Sequence, residues 1–241
     1  MFDLEELDKP ATSRQPEQVQ RMFGAIALRY DLANHLLSCG ADFYWRRRAA
    51  QIVASWNPVK VLDLATGTGD LALTVQKQLP DAEIVGVDFS EEMLAIARGK
   101  GLGKAIAADA LALPFADDSF ECLTIAFGLR NIPDSGAALR EMHRVLGAKG
   151  HLLILEFSLP RSSVLRAAYR FYLHRVLPLA GSFLTHRKSA YSYLGESIEE
   201  FPSGHSLAQL VQSSGFAHLT AEPLTGGIVT IYTAEKFVKP H

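Results

Sequence analysis

Apolar positions fall into two rhythms along this chain. Over 17–56 they recur every three to four residues: Val19, Met22, Phe23 and Ile26, then Leu32, Leu36 and Leu37, then Trp45, Ala49, Ile52 and Val53. That spacing predicts a helical N-terminal cap, broken near Ser38-Cys39-Gly40. Residues 1–16 are polar and acidic without an apolar core, which predicts a loose tail and no signal segment. From 57 to 241 the rhythm changes, and short apolar runs alternate with helical patterns. Runs at 59–64, 82–87, 104–108, 122–127 and 151–156 predict five strands. Helical spacing falls at 70–78, 90–98 and 135–146, with Ser90 placed as an N-cap. Strands alternating with helices imply βαβ units and a parallel sheet.

The second half departs from that alternation. Residues 160–201 form an apolar and aromatic insert, with Leu165, Tyr169, Phe171, Tyr172, Leu173, Val176 and Leu177 before Pro178, then Tyr191, Tyr193, Leu194 and Ile198. Another helical piece follows at 206–213. Two closing strands, 216–223 and 228–236, flank Thr225-Gly226-Gly227. No uninterrupted apolar stretch is long enough to span a bilayer.

Composition narrows the picture a little. The chain has 241 residues, 48% hydrophobic, enough for one large α/β domain with a lid. A net charge of −2 supplies no basic field, so nucleic acid is not an expected partner. The two cysteines, Cys39 and Cys122, have no CxxC or histidine cluster beside them, so no metal site is expected and a reducing cytoplasm fits. Arg46-Arg47-Arg48 reads as a solvated face, with lipid headgroups or phosphates as the alternative.

The candidate chemistry sits at 61–70. The apolar run Val61-Leu62-Asp63-Leu64 leads into Ala65-Thr66-Gly67-Thr68-Gly69-Asp70, and a second run ends at Asp88. Glycines let a backbone pass close to a ligand, and a strand-end carboxylate can accept hydrogen bonds from a ribose diol. Gly67 to Ala72 matches the G-x-G-x-x-G/A pattern, so a dinucleotide remains open. The flanking acids Asp63 and Asp70 disfavour a pyrophosphate. They favour S-adenosyl-L-methionine, which carries an ammonium and a sulfonium and no phosphate.

Further segments carry a resemblance. They are Met22-Phe23 with Arg29-Tyr30-Asp31, Gly86-Val87-Asp88-Phe89-Ser90, Asp109-Ala110 with Leu113-Pro114-Phe115, Phe127-Gly128-Leu129-Arg130-Asn131, Leu155-Glu156-Phe157-Ser158, and Tyr193-Leu194 with Glu196-Ser197-Ile198. With the 61–70 run, the chain resembles the ubiquinone/menaquinone biosynthesis C-methyltransferases, a branch of class I methyltransferases. The resemblance implies a Rossmann-like, seven-stranded, mostly parallel sheet with an antiparallel last strand. It also implies methyl transfer from S-adenosyl-L-methionine to a ring carbon of a polyprenylated hydroquinone.

Carried onto matching positions, Asp63, Thr66, Gly67 and Gly69 form the loop, Asp88 takes the ribose beside Phe89, and Asp109 with Ala110 frames the adenine. Ala126 stands where relatives often have serine, so only its backbone can serve. Arg130, Asn131 and Tyr30 are the catalytic candidates. Arg130 could stabilise a phenolate or form a structural ion pair, and Tyr30 could offer a ring face to the sulfonium. Asp31 reads as a helix cap, and Glu156 as a secondary base candidate. The insert suits a lid over a prenyl tail, with membrane-peripheral contact or a homodimer interface as its partner readings. Another lipophilic phenol or a sterol, a nicotinamide oxidoreductase and a non-catalytic cofactor-binding module remain as alternatives.

Overall fold

The computed structural model of the chain describes His35, residues 38–179 and residues 188–237, the side chains of 188–192 excepted. The tail 1–16, the cap up to residue 34, Tyr30, Asp31 and Arg187 lie outside the described residues.

Helix α1 spans Ala41–Trp56 and follows Gly40 at φ 76°. The βα units then run β1 Lys60–Leu64, α2 Asp70–Gln78, β2 Glu83–Asp88, α3 Glu91–Gly99 and β3 Lys104–Ala107. They continue with β4 Phe120–Ala126, α4 Ser135–Val145 and β5 Leu146–Phe157. Helices α5 Ser163–Phe171, α6 Lys188–Glu200 and α7 His205–Ser213 precede β6 Phe216–Leu224 and β7 Val229–Lys236. The strands form one seven-stranded sheet in the order β3-β2-β1-β4-β5-β7-β6. The last strand, β7, runs antiparallel to both β5 and β6, as the sequence resemblance implies.

The central strands read as continuous apolar runs because both sheet faces are covered. Alternate residues diverge to two layers. Leu62, Leu64, Leu123, Ile125 and Ile154 pack with Leu139 and Met142 of α4 and Val211 of α7. Val61, Ile84, Cys122, Leu153 and Leu155 face the opposite layer, made by Trp45, Ala49 and Val53 of α1 and Leu71 and Val75 of α2. Cys122 is fully buried, and burial pushes its thiol far up, so it serves as a small hydrophobe. Ser90 caps α3 by accepting from the Met93 N–H at 3.3 Å, as its position predicts.

Two elements depart from the pattern. Strand β5 begins five residues before the expected 151, and β4 begins at Phe120. The register shifts between Phe120 and Cys122, and Phe120 pairs with Leu146 across that irregularity. Gly147, Lys149 (φ 61°) and Gly150 break the apolar alternation there, which hides the strand's start. In the insert, α5 loosens into a π-helical turn at Tyr172–Val176. Pro178 lacks an N–H and crowds the carbonyl four residues before it, which disfavours a regular α turn there. Tyr169, Leu173 and Leu177 of this segment pack with Tyr193 and Ile198 of α6 as a separate apolar cluster.

The strand order reverses beside β1, which lies between β2 and β4. The carboxyl ends of strands at such a reversal open a crevice.

Candidate active site

The crevice is a cavity of about 630 Å³. Its floor is the turn after β1. Ala65 adopts φ 50° and Gly67 φ 55°, and a Cβ built on Gly67 meets no protein atom within 4 Å. The Thr66 N–H donates to the Val87 carbonyl at 2.9 Å, which ties the turn to β2. Asp63 lies beneath, 2% exposed. Its carboxylate accepts from the Thr66 hydroxyl at 2.6 Å and from the Thr124 hydroxyl at 2.6 Å. Burial pushes its pKa up to about 6 against those hydrogen bonds.

Asp88 ends β2 and is also held by backbone. One oxygen accepts from the Gly67 N–H at 2.8 Å and the other from the Ser90 N–H at 2.9 Å. Burial raises its pKa as well. Phe89 beside it is half exposed. Asp109 follows β3 and accepts from the Leu111 N–H at 2.9 Å, a turn that sets Ala110 and Leu111 along the same wall.

Ala126 closes β4. Phe127 takes φ 56°, and its N–H donates to the Leu155 carbonyl at 2.8 Å. A Cβ at Gly128 would stand 2.5 Å from the Ala65 Cβ, so the β4 exit can lie against the β1 turn only as glycine.

Arg130 and Glu156 form an ion pair at 2.8 Å, 2% and 1% exposed. The same Arg130 nitrogen also donates to the Phe127 carbonyl, and its guanidinium lies 5.2 Å from the Phe157 ring centroid. The Phe157 N–H donates to Glu156 at 2.9 Å. Arg130 Nε is buried and has no hydrogen-bond partner among the described residues. Asn131 receives the Tyr193 hydroxyl at 3.1 Å, which links the insert to this corner.

Asp63, Thr66, Gly67, Asp88, Phe89, Asp109, Ala110, Ala126, Arg130 and Asn131 all line the one cavity. Gly69 does not; at φ 83° it sets the start of α2, its N–H donating to the Thr66 carbonyl at 2.9 Å. Asp63 and Asp70, expected from the sequence as acids flanking the loop, are both engaged within the protein. Asp63 braces two threonines, and Asp70 pairs with Lys100 at 2.8 Å and with Arg46 at 3.6 Å. Neither carboxylate stands unpartnered at the loop.

The arginine run also splits. Arg47 is exposed, Arg48 pairs with Glu222 at 2.8 Å, and Arg46 turns inward to line the cavity. Read as a run of like charges, the three form one solvated face, a reading that misses Arg46. Phe157, given no role by the sequence, joins Tyr169, Tyr172 and Leu177 of the expected lid in an apolar lobe on the cavity. Burial raises the Tyr172 hydroxyl to about 12, so it stays protonated. Among the described residues, no group of three or more metal-ligating side chains is placed to hold an ion.

The model of the ubiE/COQ5 methyltransferase family matches residues 11–236. A demethylmenaquinone methyltransferase of Thermus thermophilus is 46% identical over 220 residues, covering 89% of this chain and 100% of that one. A ubiquinone/menaquinone biosynthesis C-methyltransferase of Geotalea uraniireducens is 45% identical over 228 residues, 91% of this chain and 97% of that one. Among solved structures, a SAM-dependent methyltransferase of Thermotoga maritima gives a TM-score of 0.65 at 19% identity, over 91% of this chain and 100% of that one. A phosphoethanolamine N-methyltransferase of Haemonchus contortus, solved with S-adenosyl-L-methionine, gives 0.55 at 15% identity, over 73% of this chain and 48% of that one. Those two likenesses speak for the fold. With most of its length matched by the family model and by relatives above 40% identity, the chain belongs to the ubiE/COQ5 methyltransferase family.

Proposed function

We propose that the chain transfers a methyl group from S-adenosyl-L-methionine to a ring carbon of a polyprenylated hydroquinone, with demethylmenaquinol as the acceptor. The observation that carries this reading is the two-part cavity. A polar cradle at the ends of β1 and β2 is continuous with an apolar, aromatic lobe from α5, the π-helical turn and α6. The cradle suits the donor: Gly67 leaves open space, Asp88 keeps acceptor lone pairs beyond its backbone bonds, and Asp109 with Ala110 forms a wall beyond it. Thr66 and the Ala126 backbone complete the cradle, with Phe89 beside it.

When bound, S-adenosyl-L-methionine supplies an electrophilic methyl on a sulfonium. The protein's part is to hold the ring carbon in line with that methyl and to exclude water. The ring carbon gains nucleophilicity as its neighbouring hydroxyl loses a proton. Arg130 serves this step: its orphaned Nε–H is a buried donor for a phenolate oxygen, and a dry site strengthens that contact. Glu156 holds the guanidinium in place, and Asn131 couples the corner to Tyr193 on the insert. Tyr30 belongs to the same reading as an aromatic face for the sulfonium.

The insert's outer face extends the proposal to a membrane surface that delivers the prenyl chain. Val164, Phe171 and Leu179 are 78%, 65% and 67% exposed there, with Arg161, Arg170 and Arg175 among them. Among the described residues no helix is long and apolar enough to cross a membrane, so the contact is peripheral. Flotation with anionic vesicles tests this: Phe171→Ser with Leu179→Ser should lose binding, and unchanged flotation refutes the contact.

Arg130→Met tests the chemistry. We expect turnover of a demethylated quinol to fall on the order of a hundredfold or more, with cofactor affinity within about twofold on the 1.4 kcal/mol-per-decade scale. Normal turnover removes Arg130 from the reaction.

A further inference from the structure

Two of the cavity's lining side chains among the described residues are cations, Arg130 and Arg46. Arg130 is held by Glu156 at the exits of β4 and β5, its free Nε–H already assigned to the acceptor ring. Arg46 stands on α1, above the start of α2, with its guanidinium over the ring of Phe127, the residue whose carbonyl accepts from Arg130. Its side chain is 13% exposed. A guanidinium carries five N–H donors. Among the described residues, its one hydrogen bond runs from Nη1 to Asp42, one turn earlier on α1. The contact to Asp70 is looser, at 3.6 Å. Both acids have other partners. The Ser38 hydroxyl donates to Asp42 at 2.7 Å and His35 lies 2.5 Å from it, while Lys100 holds Asp70 at 2.8 Å. Arg46 therefore keeps donors to spare in a partly desolvated wall, stacked 5.7 Å from the Phe127 ring centroid.

Position decides what those donors meet. The proposed donor molecule lies across the sheet edge, with adenine by Asp109 after β3 and ribose by Asp88 after β2. The strand order β3-β2-β1-β4 then carries its amino-acid end past the β1 turn toward α2 and Arg46. That end is a zwitterion. A patch presenting Arg46 between Asp42 and Asp70 offers both signs to it.

We infer that Arg46 binds the α-carboxylate of the methyl donor and so selects donors that keep it. The inference rests on the cofactor reading above and adds a specificity-determining residue to it. Arg46 is a binding residue here and takes no part in proton transfer.

The test is calorimetric, on the full chain, with two ligands that differ by one carboxylate: S-adenosylmethionine and decarboxylated S-adenosylmethionine. The wild-type protein should prefer the carboxylated ligand by about ten- to a hundredfold, the span of a hydrogen bond to a charged group. Arg46→Met should erase that preference while leaving the decarboxylated ligand's affinity unchanged. Arg46→Lys should recover part of it, because a lysine keeps the charge and loses the planar fork. Equal losses for both ligands assign Arg46 to structure, through its tie to Asp42, and overturn the inference. So does an unchanged preference in Arg46→Met. A wild-type protein that binds both ligands equally sinks the inference alone, whereas one that binds neither sinks the cofactor reading as well.

Discussion

Replacing Asp63 by asparagine should make this protein's stability less sensitive to pH. The carboxyl is fully buried between the Thr66 and Thr124 hydroxyls, with Asp88 as a like-charged neighbour. Burial is the largest influence and lifts its pKa from 3.8 to about 6. The folded protein thus binds this proton more tightly than the open chain does. The stabilisation is complete below 3.8, falls as pH rises through that window, and is gone above about 6. At 1.36 kcal/mol per tenfold in proton affinity, the whole effect is about 3 kcal/mol. Roughly 2 kcal/mol of it falls between about pH 4.5 and 7.5, from the linkage relation. The asparagine amide could still accept from one hydroxyl and donate to the other, with no charge to bury. Urea denaturation of both proteins across that range should show the variant gaining on the wild type by about 2 kcal/mol toward the alkaline end. Carboxylates remote from Asp63 titrate equally in both proteins and cancel in the difference, and the loss of the Asp63 charge eases the ionisation of its neighbour Asp88, which adds to the variant's gain toward the alkaline end. A pH-independent difference, or one that shrinks as pH rises, would refute the buried-carboxylate account.

Three more outcomes follow from the same geometry. Glu156→Leu strands the Arg130 guanidinium in the core and should cost about 3–5 kcal/mol, while Arg130→Met added to it should restore much of the loss. Urea midpoints of the two variants decide, and a double variant no better than the single one speaks against the pair. Gly128→Ala forces a Cβ to within 2.5 Å of the Ala65 Cβ. It should cost about 1–3 kcal/mol and weaken cofactor binding, as calorimetry reads, because the β1 turn must shift. Trp45 Nε1 donates to the Thr225 hydroxyl at 2.7 Å, joining α1 to the turn before β7. Thr225→Val should therefore cost about 1–3 kcal/mol by leaving a buried donor unmet, and an unchanged melting temperature refutes that.

The alternation of short apolar runs with helical spacing makes the sheet legible, because each central strand is covered on both faces. The loop at 61–70 and Asp88 are legible because glycine spacing and strand-end acids sit close together in the chain. The charge state of that loop is not. Lys100, thirty residues on, meets Asp70 where the end of α3 lies by the start of α2, and Thr124 shares Asp63 through the β1–β4 pairing, neither of which a local pattern records. Arg46 is hidden for a related reason. A run of three arginines looks uniformly solvated until α1 packs on α2 and rotates one of them inward. Glu156 reads as a weak base because its partner Arg130 lies on a different strand's exit. The apolar lobe is visible as an insert, yet its closure onto Asn131 through Tyr193 is a tertiary event.

Methyl transfer to carbon is the reaction that the cavity's polar cradle and apolar lobe are proposed to serve. The purified chain, given S-adenosylmethionine labelled with deuterium in its methyl and a demethylated polyprenyl naphthoquinol, should yield a quinol bearing one labelled methyl on a ring carbon, located by mass spectrometry and NMR. No labelled product, or a label found on a quinol oxygen, contradicts it.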